Sequence, residues 1–385
     1  MKKIAILMNT NQLGGAERSM LLQMKDLNDY QKVFFIPRLK GNDSLSIAIV
    51  DENIGSIKYF DYPQNIYQIS RTHLFRNIIP TIFEVLSVVF FARQLRDLNK
   101  FDFIYLNGNK SAFLFFLSNF HLRYKSNVIW HLRDYYTNTK FNNFIWKSIT
   151  NISSKQLTIV CNSNSVKESL NKTIWSKFQS TVIYNPAGIE VDKHIGDLKV
   201  IGFVSMLAPW KGVHEILVWA KLYEDDLKQL GIRQINVYGD DIYQTGGEHQ
   251  SYKKQLLELK DKLNIENIKF IGLKKPNEIF QEIDCLIHYS LRPEPFGRVV
   301  IEAFEAGIPV ISTALGGSSE LIENNINAYR VVAYDRRGLF EAVRELVDNK
   351  ILRFDFINKS KEKSKKIQKD ISLKMKQLFI EDKAS

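Results

Sequence analysis

Two glutamates eight positions apart, Glu294 and Glu302, carry the clearest chemical signal in the chain. A short apolar run at 284–288 precedes them and predicts a buried parallel strand. Pro295 and the two residues after it predict the first turn of a helix, with Glu294 on the preceding loop and Glu302 inside the helix. Because the first turn of a helix has free backbone N–H groups, an anion can bind there. An anion site between two carboxylates that can hold sugar hydroxyls suits a nucleoside diphosphate sugar.

The elements that must position this stretch alternate along the whole chain. Apolar runs typical of buried strands occur at 3–8, 33–37, 103–106, 127–130, 158–162, 200–204, 234–238, 268–271 and 310–312. Segments in which apolar residues recur at helical spacing separate these runs. The alternation predicts an α/β protein with parallel, doubly wound sheets. In such sheets the residues at the carboxyl ends of the strands line the binding crevice, and His131 follows one of the predicted strands.

Length and charge limit the classes of function. The chain has 385 residues, 45% hydrophobic and 25% charged, which is enough for two domains with their own cores. Residues 1–195 hold 24 lysines and arginines against 14 acidic residues (+10), whereas residues 196–385 hold 29 against 28 (+1). The basic half indicates either a merely soluble surface or an anionic partner, such as an anionic membrane surface or a lipid-pyrophosphate acceptor. Nucleic acid is not expected, because no zinc-finger or RNA-binding signature accompanies the charge.

The sequence predicts a cytoplasmic protein that can associate with the inner face of the membrane. It has only two cysteines, Cys161 and Cys285, and therefore no disulfide framework. The apolar run at the start is too short for a signal peptide. The most apolar long segment, 78–92, contains Glu84 and is shorter than the roughly 20 residues that span a bilayer, so a core helix is expected there.

The segment Glu294-Pro-Phe-Gly-Arg-Val-Val-Ile-Glu302, followed by Ala303 and then Gly307-Ile-Pro-Val, resembles the signature of retaining family 4 glycosyltransferases of the GT-B fold. The resemblance implies an α/β chain with two Rossmann-like, doubly wound domains that face each other across a cleft. Residues 1–190 would form the acceptor domain and residues 200–365 the nucleotide-sugar domain. Residues 366–385 would form a helix and tail that cross back to the first domain.

The resemblance also implies roles for individual residues. Glu294 would contact the transferred sugar, Glu302 the ribose hydroxyls, and Lys211, in a Lys-Gly pair, would neutralise the donor diphosphate. His131 would hydrogen-bond the donor sugar, unless it is a structural histidine. The remaining donor-binding positions lie in three loops and are Gly14, Gly15, Gly272, Leu273, Phe296, Gly297 and Arg298. Family members often carry an arginine where this chain has Met206, and Arg298 is the nearest candidate substitute.

The implied reaction is the transfer of a sugar from a UDP- or GDP-sugar to a hydroxyl of a glycan or lipid-linked acceptor. It would proceed with retention, in bacterial cell-surface polysaccharide or lipid-linked glycan synthesis. No cofactor is expected, and no metal, because the chain contains no Asp-x-Asp. Two other functions stay open. One is a nucleotide-sugar epimerase, which shares this architecture but lacks the Glu-x7-Glu arrangement, and the other is a non-catalytic nucleotide-sugar-binding protein.

Overall fold

A computed structural model describes residues 1–61, 93–122, 125–136, 157–170, 172–193, 196–241 and 252–380. The helix predicted at 78–92 lies outside these residues. The chain divides into two compact units. Unit 1 comprises Met1–Asn185 together with the chain from Asp370, and unit 2 comprises Pro186–Lys369. Each unit contains a parallel sheet and a hydrophobic core.

The sheet of unit 1 has seven described strands. They are β1 (Lys2–Leu7), β2 (Tyr30–Arg38), β3 (Ser56–Asp61), β4 (Phe103–Asn107), β5 (Asn127–Leu132), β6 (Leu157–Cys161) and β7 (Gln179–Val182). All of the described pairs are parallel, in the order β3-β2-β1-β4-β5-β6-β7. The inner strands β4 and β6 are buried at every position, as expected of a parallel sheet that is covered on both faces.

Helices flank this sheet. They are α1 (Gly15–Lys25), α2 (Ser44–Asp51), α3 (Asn109–Leu122), α4 (Asn164–Glu168) and α5 (Lys172–Trp175), with a 3-10 turn at Arg96–Lys100. The Ser163 hydroxyl accepts a hydrogen bond from the Val166 N–H at 2.9 Å and so caps α4, as its residue type predicts. The end of the chain also packs in this unit, where the Phe379 ring lies 5.2 Å from that of Phe103.

The sheet of unit 2 has six described strands, which are β8 (Val200–Val204), β9 (Gln234–Tyr238), β10 (Ile268–Gly272), β11 (Cys285–His288), β12 (Val310–Ser312) and β13 (Tyr329–Arg330). They pair in parallel in the order β10-β9-β8-β11-β12-β13. Because β8 and β11 are neighbours at the centre, the loops that follow them emerge at the same edge of the sheet. The loops at this edge carry Lys211 and Glu294.

The helices of unit 2 include α6 (Val213–Leu222), α7 (Glu224–Gln229), α8 (Tyr252–Lys262), α9 (Pro276–Glu282), α10 (Arg298–Ala306), α11 (Arg336–Asp348) and α12 (Lys350–Leu378). Short 3-10 turns occur at Pro209–Lys211 and Gly317–Glu320. The last part of α12, from Asp370, belongs to unit 1. None of the helices in the described ranges is long and apolar enough to cross a membrane.

The prediction of an α/β protein with two parallel, helix-flanked sheets is confirmed. Strands β3 and β13 were not predicted from the sequence. In β3 only Phe60 is buried, so the apolar run that marks a covered strand is missing at this sheet edge. Strand β13 has only two residues, one buried and one exposed. Neither strand is long or apolar enough to be recognised from periodicity.

The helix that carries Glu302 begins later than its sequence predicts. Proline at position 295 predicts the first turn, but α10 begins at Arg298, and Gly297 is its N-cap with φ 83°. The reason is tertiary, because the backbone of Glu294 pairs with the chain at Gly316 in a short parallel bridge. This pairing holds the residues before Gly297 outside the helix.

Candidate functional site

The backbone of Glu294 is held from both sides by the loop that follows β12. Its N–H donates to the Leu315 carbonyl at 3.1 Å, and its carbonyl accepts from the Gly317 N–H at 2.7 Å. These bonds fix the Glu294 Cα relative to the carboxyl edge of the sheet. A glutamate that the sequence places on a loop is therefore as firmly anchored as a residue in a strand.

The Glu294 side chain is 6% exposed and is surrounded by donors. The Lys211 ammonium lies 2.5 Å from its Oε1, and His288 Nε2 lies 3.0 Å from the same oxygen. The Ser290 hydroxyl also donates to Oε1. A buried carboxylate needs such partners, because an unpaired charge in a protein interior is strongly destabilising.

The partners determine the ionisation of this carboxyl group. Burial by itself raises the pKa of Glu294, but the charges of His288 and Lys211 and the hydrogen bonds from both residues act in the opposite direction. Together they hold the pKa of Glu294 well below its ordinary value of 4.5. Glu294 is therefore an anion at neutral pH, and the ammonium beside it forms a buried ion pair with it.

Lys211 is placed by the turn between β8 and α6. It ends the 3-10 turn Pro209–Lys211, and Gly212 follows with φ 78°. A Cβ atom at Gly212 would lie 2.4 Å from the Tyr289 carbonyl oxygen, so only glycine fits both this backbone conformation and this close approach. The Lys211 ammonium also lies 4.3 Å from the centre of the Trp210 ring, an attractive cation–π distance.

The first turn of α10 combines a cation with an anion. The Arg298 guanidinium lies 2.9 Å from Glu302 Oε1, one turn further along the helix, and the two side chains are 17% and 9% exposed. Gly297 permits a close approach of two loops here, since a Cβ atom in its place would lie 2.7 Å from Ser318 Cβ. Phe296 is buried beside this turn. A positive side chain at a helix N-terminus opposes the helix dipole, so Arg298 is not placed there for helix stability.

One of the three predicted donor-binding loops follows β10. Gly272 ends that strand with φ 86°, and the Leu273 side chain is 72% exposed. The next residue, Lys274, forms an ion pair with Glu282 of α9, which ties the loop to the body of unit 2. The loop thus presents an apolar side chain to solvent.

The other predicted residues lie in unit 1. Gly14 is the N-cap of α1 and Gly15 its first residue. His131 lies near the carboxyl end of β5 and is completely buried, with its Nδ1 in a short contact with the Tyr105 hydroxyl. Burial, and to a smaller extent the charge of Arg133, holds the pKa of His131 well below its ordinary value. The imidazole is therefore neutral at physiological pH.

Arg133 connects several strand ends of unit 1. Its guanidinium donates to the side-chain oxygens of Asn107 at 2.6 Å, Asn185 at 2.7 Å and Gln23 at 3.0 Å. It thereby links β4 and α1 to Asn185, the last residue of the first segment of unit 1.

Of the predicted site residues, the structure brings together Lys211 with Glu294 and Arg298 with Glu302, all of them in unit 2.

Sequence reasoning missed three residues that surround Glu294. His288 and Ser290 contact its carboxylate, and Ser312 contacts the His288 ring at 2.9 Å. His288 ends β11, and a polar residue at the carboxyl end of a buried strand was the signal that selected His131. The same signal would have identified His288. In the described part of the chain, no group of three or more His, Cys, Asp or Glu residues could hold a metal ion.

Comparison with known proteins relates this arrangement to one family. Residues 189–363 match the family of glycosyl transferases group 1. An uncharacterized glycosyltransferase of Methanocaldococcus jannaschii is 29% identical over 225 residues, which are 58% of this chain and 58% of that relative. The poly(ribitol-phosphate) alpha-N-acetylglucosaminyltransferase of Staphylococcus aureus is 24% identical over 173 residues, 44% of this chain and 32% of the relative. The similarity thus spans less than two thirds of the length of either protein.

A solved structure is similar over nearly the whole chain. Anabaena HepE, in complex with UDP and glucose, has a TM-score of 0.76 at 19% identity, covering 98% of this chain and 99% of HepE. At this level of identity the likeness shows a shared fold. The fold and the family match rest on separate comparisons, and both point in the same direction.

Proposed function

Because residues 189–363 match the family of glycosyl transferases group 1 and the chain has the GT-B fold, we propose that it is a retaining glycosyltransferase. It moves a sugar from a nucleoside diphosphate sugar to a hydroxyl acceptor. The observation that carries the proposal is the buried Lys211–Glu294 ion pair beside the first turn of α10. A cation for a leaving diphosphate and a carboxylate for a sugar are in contact there.

The leaving group is stabilised by positive charge that is already in place. The Lys211 ammonium and the positive end of the α10 helix dipole receive the diphosphate as the bond to the sugar breaks. Arg298, at that same turn, is the second cation. It substitutes for the arginine that family members often carry where this chain has Met206. Protein cations in these positions replace a bridging metal, so transfer does not require one.

The two glutamates act on different parts of the donor. Glu294 contacts the transferred sugar, on which positive charge develops in the transition state, and its low pKa keeps it anionic. Glu302 holds the ribose hydroxyls. For His131, whose neutral imidazole is buried in unit 1, a hydrogen bond to the sugar stays a prediction. The acceptor hydroxyl attacks from the face that the diphosphate leaves, which gives retention.

The proposed donor is a UDP-sugar, and the proposed acceptor is an anionic or lipid-linked glycan of a bacterial cell surface. Support for the donor comes from HepE, whose structure is a complex with UDP and glucose. Support for the acceptor comes from the Staphylococcus aureus relative, whose name specifies a poly(ribitol-phosphate) substrate. The +10 charge of residues 1–195 suits such an acceptor or an anionic membrane surface.

A panel of UDP- and GDP-sugars tests the proposal. We expect one UDP-sugar to raise the melting temperature and to be hydrolysed slowly to UDP and free sugar, equally well in EDTA. Lys211→Ala is expected to abolish hydrolysis, whereas Lys228→Ala, an exposed lysine of α7, leaves it unchanged. Interconversion of donor sugars would indicate an epimerase instead, and binding without any turnover would indicate a sensor. Activity that vanishes in EDTA and returns with Mg²⁺ or Mn²⁺ would refute metal independence.

A further inference from the structure

His288 lies between two strand ends, and both of its ring nitrogens are in contact with side chains. It ends β11, is 3% exposed, and pairs in register with Ser312, the last residue of the neighbouring β12. Its Nδ1 lies 2.9 Å from the Ser312 hydroxyl, and its Nε2 lies 3.0 Å from Glu294 Oε1. The imidazole therefore bridges the sheet edge and the loop that carries Glu294.

Ser312 is itself held, so the ring cannot turn freely. The Ser312 hydroxyl oxygen accepts a hydrogen bond from the Ala314 N–H at 2.9 Å, and Ala314 has the left-handed backbone conformation (φ 49°) that directs this N–H back toward the strand end. A non-glycine residue in this conformation is strained. A carboxylate oxygen can only accept hydrogen bonds, so the 3.0 Å contact with Glu294 is attractive when the proton lies on Nε2.

The contact gains importance when the donor binds. In the structure, Lys211, His288 and Ser290 all contact the same oxygen of Glu294. If the Lys211 ammonium turns to the diphosphate, Glu294 loses its strongest partner while it stays buried. A buried carboxylate without adequate donors would move or take up a proton. His288 and Ser290 remain in contact with it.

We propose that His288 is a positioning residue that keeps the Glu294 carboxylate in place against the transferred sugar while Lys211 serves the leaving diphosphate. The inference rests on the proposed function, since it assigns His288 a role in that reaction. It differs from a simple packing role in one respect. His288 acts through Glu294, so its loss should matter for the sugar and leave the binding of the nucleotide nearly unchanged.

Three variants separate a hydrogen-bonding role from a packing role. His288→Leu keeps much of the bulk and removes both nitrogens, His288→Gln keeps a donor that can reach Glu294, and Ser312→Ala releases the ring. We expect His288→Leu to lower kcat about 100-fold, which is typical of a catalytic group misplaced by about 1 Å. His288→Gln should recover at least about 10-fold of this loss, and Ser312→Ala should fall in between. His214→Gln, which alters a histidine bonded to Tyr252 instead, is the matched control and should keep wild-type kcat.

Two further measurements decide whether His288 acts through Glu294. The affinity for UDP, which lacks the transferred sugar, should change less than about 3-fold in His288→Leu. In a Glu294→Gln background, the His288→Leu change should lower kcat little further, because the two losses are then not additive. Equal losses in UDP affinity and kcat, or full additivity, would overturn the inference.

The failure of this inference can be distinguished from failure of the proposed function. If the wild-type protein turns over no donor, the proposed function fails, and the inference is then judged by the affinity for a UDP-sugar relative to UDP. His288→Leu should abolish the extra affinity that the sugar provides, and an unchanged ratio would refute the role. If His288→Leu does not fold, the Gln and Ala variants carry the same comparison.

Discussion

Replacing Lys211 by methionine tests the central ion pair through stability as well as activity. The ammonium and the Glu294 carboxylate are 2.5 Å apart, with side chains 13% and 7% exposed. With an effective dielectric constant of about 20, their gross attraction is about 7 kcal/mol. Removal of one partner from a buried pair typically costs about 3–5 kcal/mol net. Because His288 and Ser290 still contact Glu294, we expect the lower end, about 3 kcal/mol.

The double variant Lys211→Met, Glu294→Gln gives the matched comparison. It removes both charges, so the buried anion is no longer left uncompensated, and most of the lost stability should return. Activity should not return, because the diphosphate cation is still absent, and kcat should stay about 100- to 1,000-fold below wild type in both variants. Urea unfolding midpoints and UDP-sugar hydrolysis measure the two effects. Lys228→Met, an exposed substitution, is the control for lysine loss in itself.

The pH dependence of stability provides a further test, because the direction of the change can be predicted. The pKa of Glu294 is lowered in the folded protein, so its contribution to stability is present above about pH 4.5, the ordinary value, and is lost as the pH falls through the folded value. Loss of Lys211 removes one cause of the lowering, so in Lys211→Met this decline should begin at higher pH. A single variant that loses less than about 1 kcal/mol, or a double variant no more stable than the single, would refute the reasoning.

Three further predictions concern the donor and the membrane. Glu302→Gln should raise the donor KM more than it lowers kcat, because ribose contacts change little during the reaction. Glu294→Gln should lower kcat more than it raises the donor KM. A kcat defect in Glu302→Gln together with only a KM defect in Glu294→Gln would contradict the assignment. Arg298→Leu should weaken UDP binding about 10-fold, because a cation that contacts the diphosphate is lost, whereas the exposed Arg292→Leu should leave UDP binding unchanged. Equal UDP affinities in the two variants would show that Arg298 does not contact the diphosphate. Sedimentation with anionic vesicles should retain the protein at low salt and release it at high salt, and equal binding to neutral vesicles would exclude an electrostatic origin.

The sequence by itself determined the elements around the central stretch. The apolar run of β11, the Gly-Ile-Pro break after α10 and the run of β12 are local signals, and β11, the end of α10 and β12 lie within about one residue of their predicted places. The same signals predict two parallel sheets, because strands of this kind are buried on both faces. The spacing of Glu294 and Glu302 also identifies them as candidate site residues without knowledge of their contacts. Their roles toward a donor stay predictions.

Only the tertiary structure decided what surrounds Glu294. Lys211 lies 83 positions before it, and Ser312, which holds the His288 ring, lies 24 positions after that histidine. No local pattern links residues at such distances; they meet because the carboxyl ends of parallel strands share one edge of the sheet. The late start of α10 at Arg298 has the same origin, since the pairing of Glu294 with the loop after β12 outweighs the preference of proline for a first helical turn. The sequence contains the donors and acceptors of this site, and the order of the strands in the sheet determines which of them are neighbours.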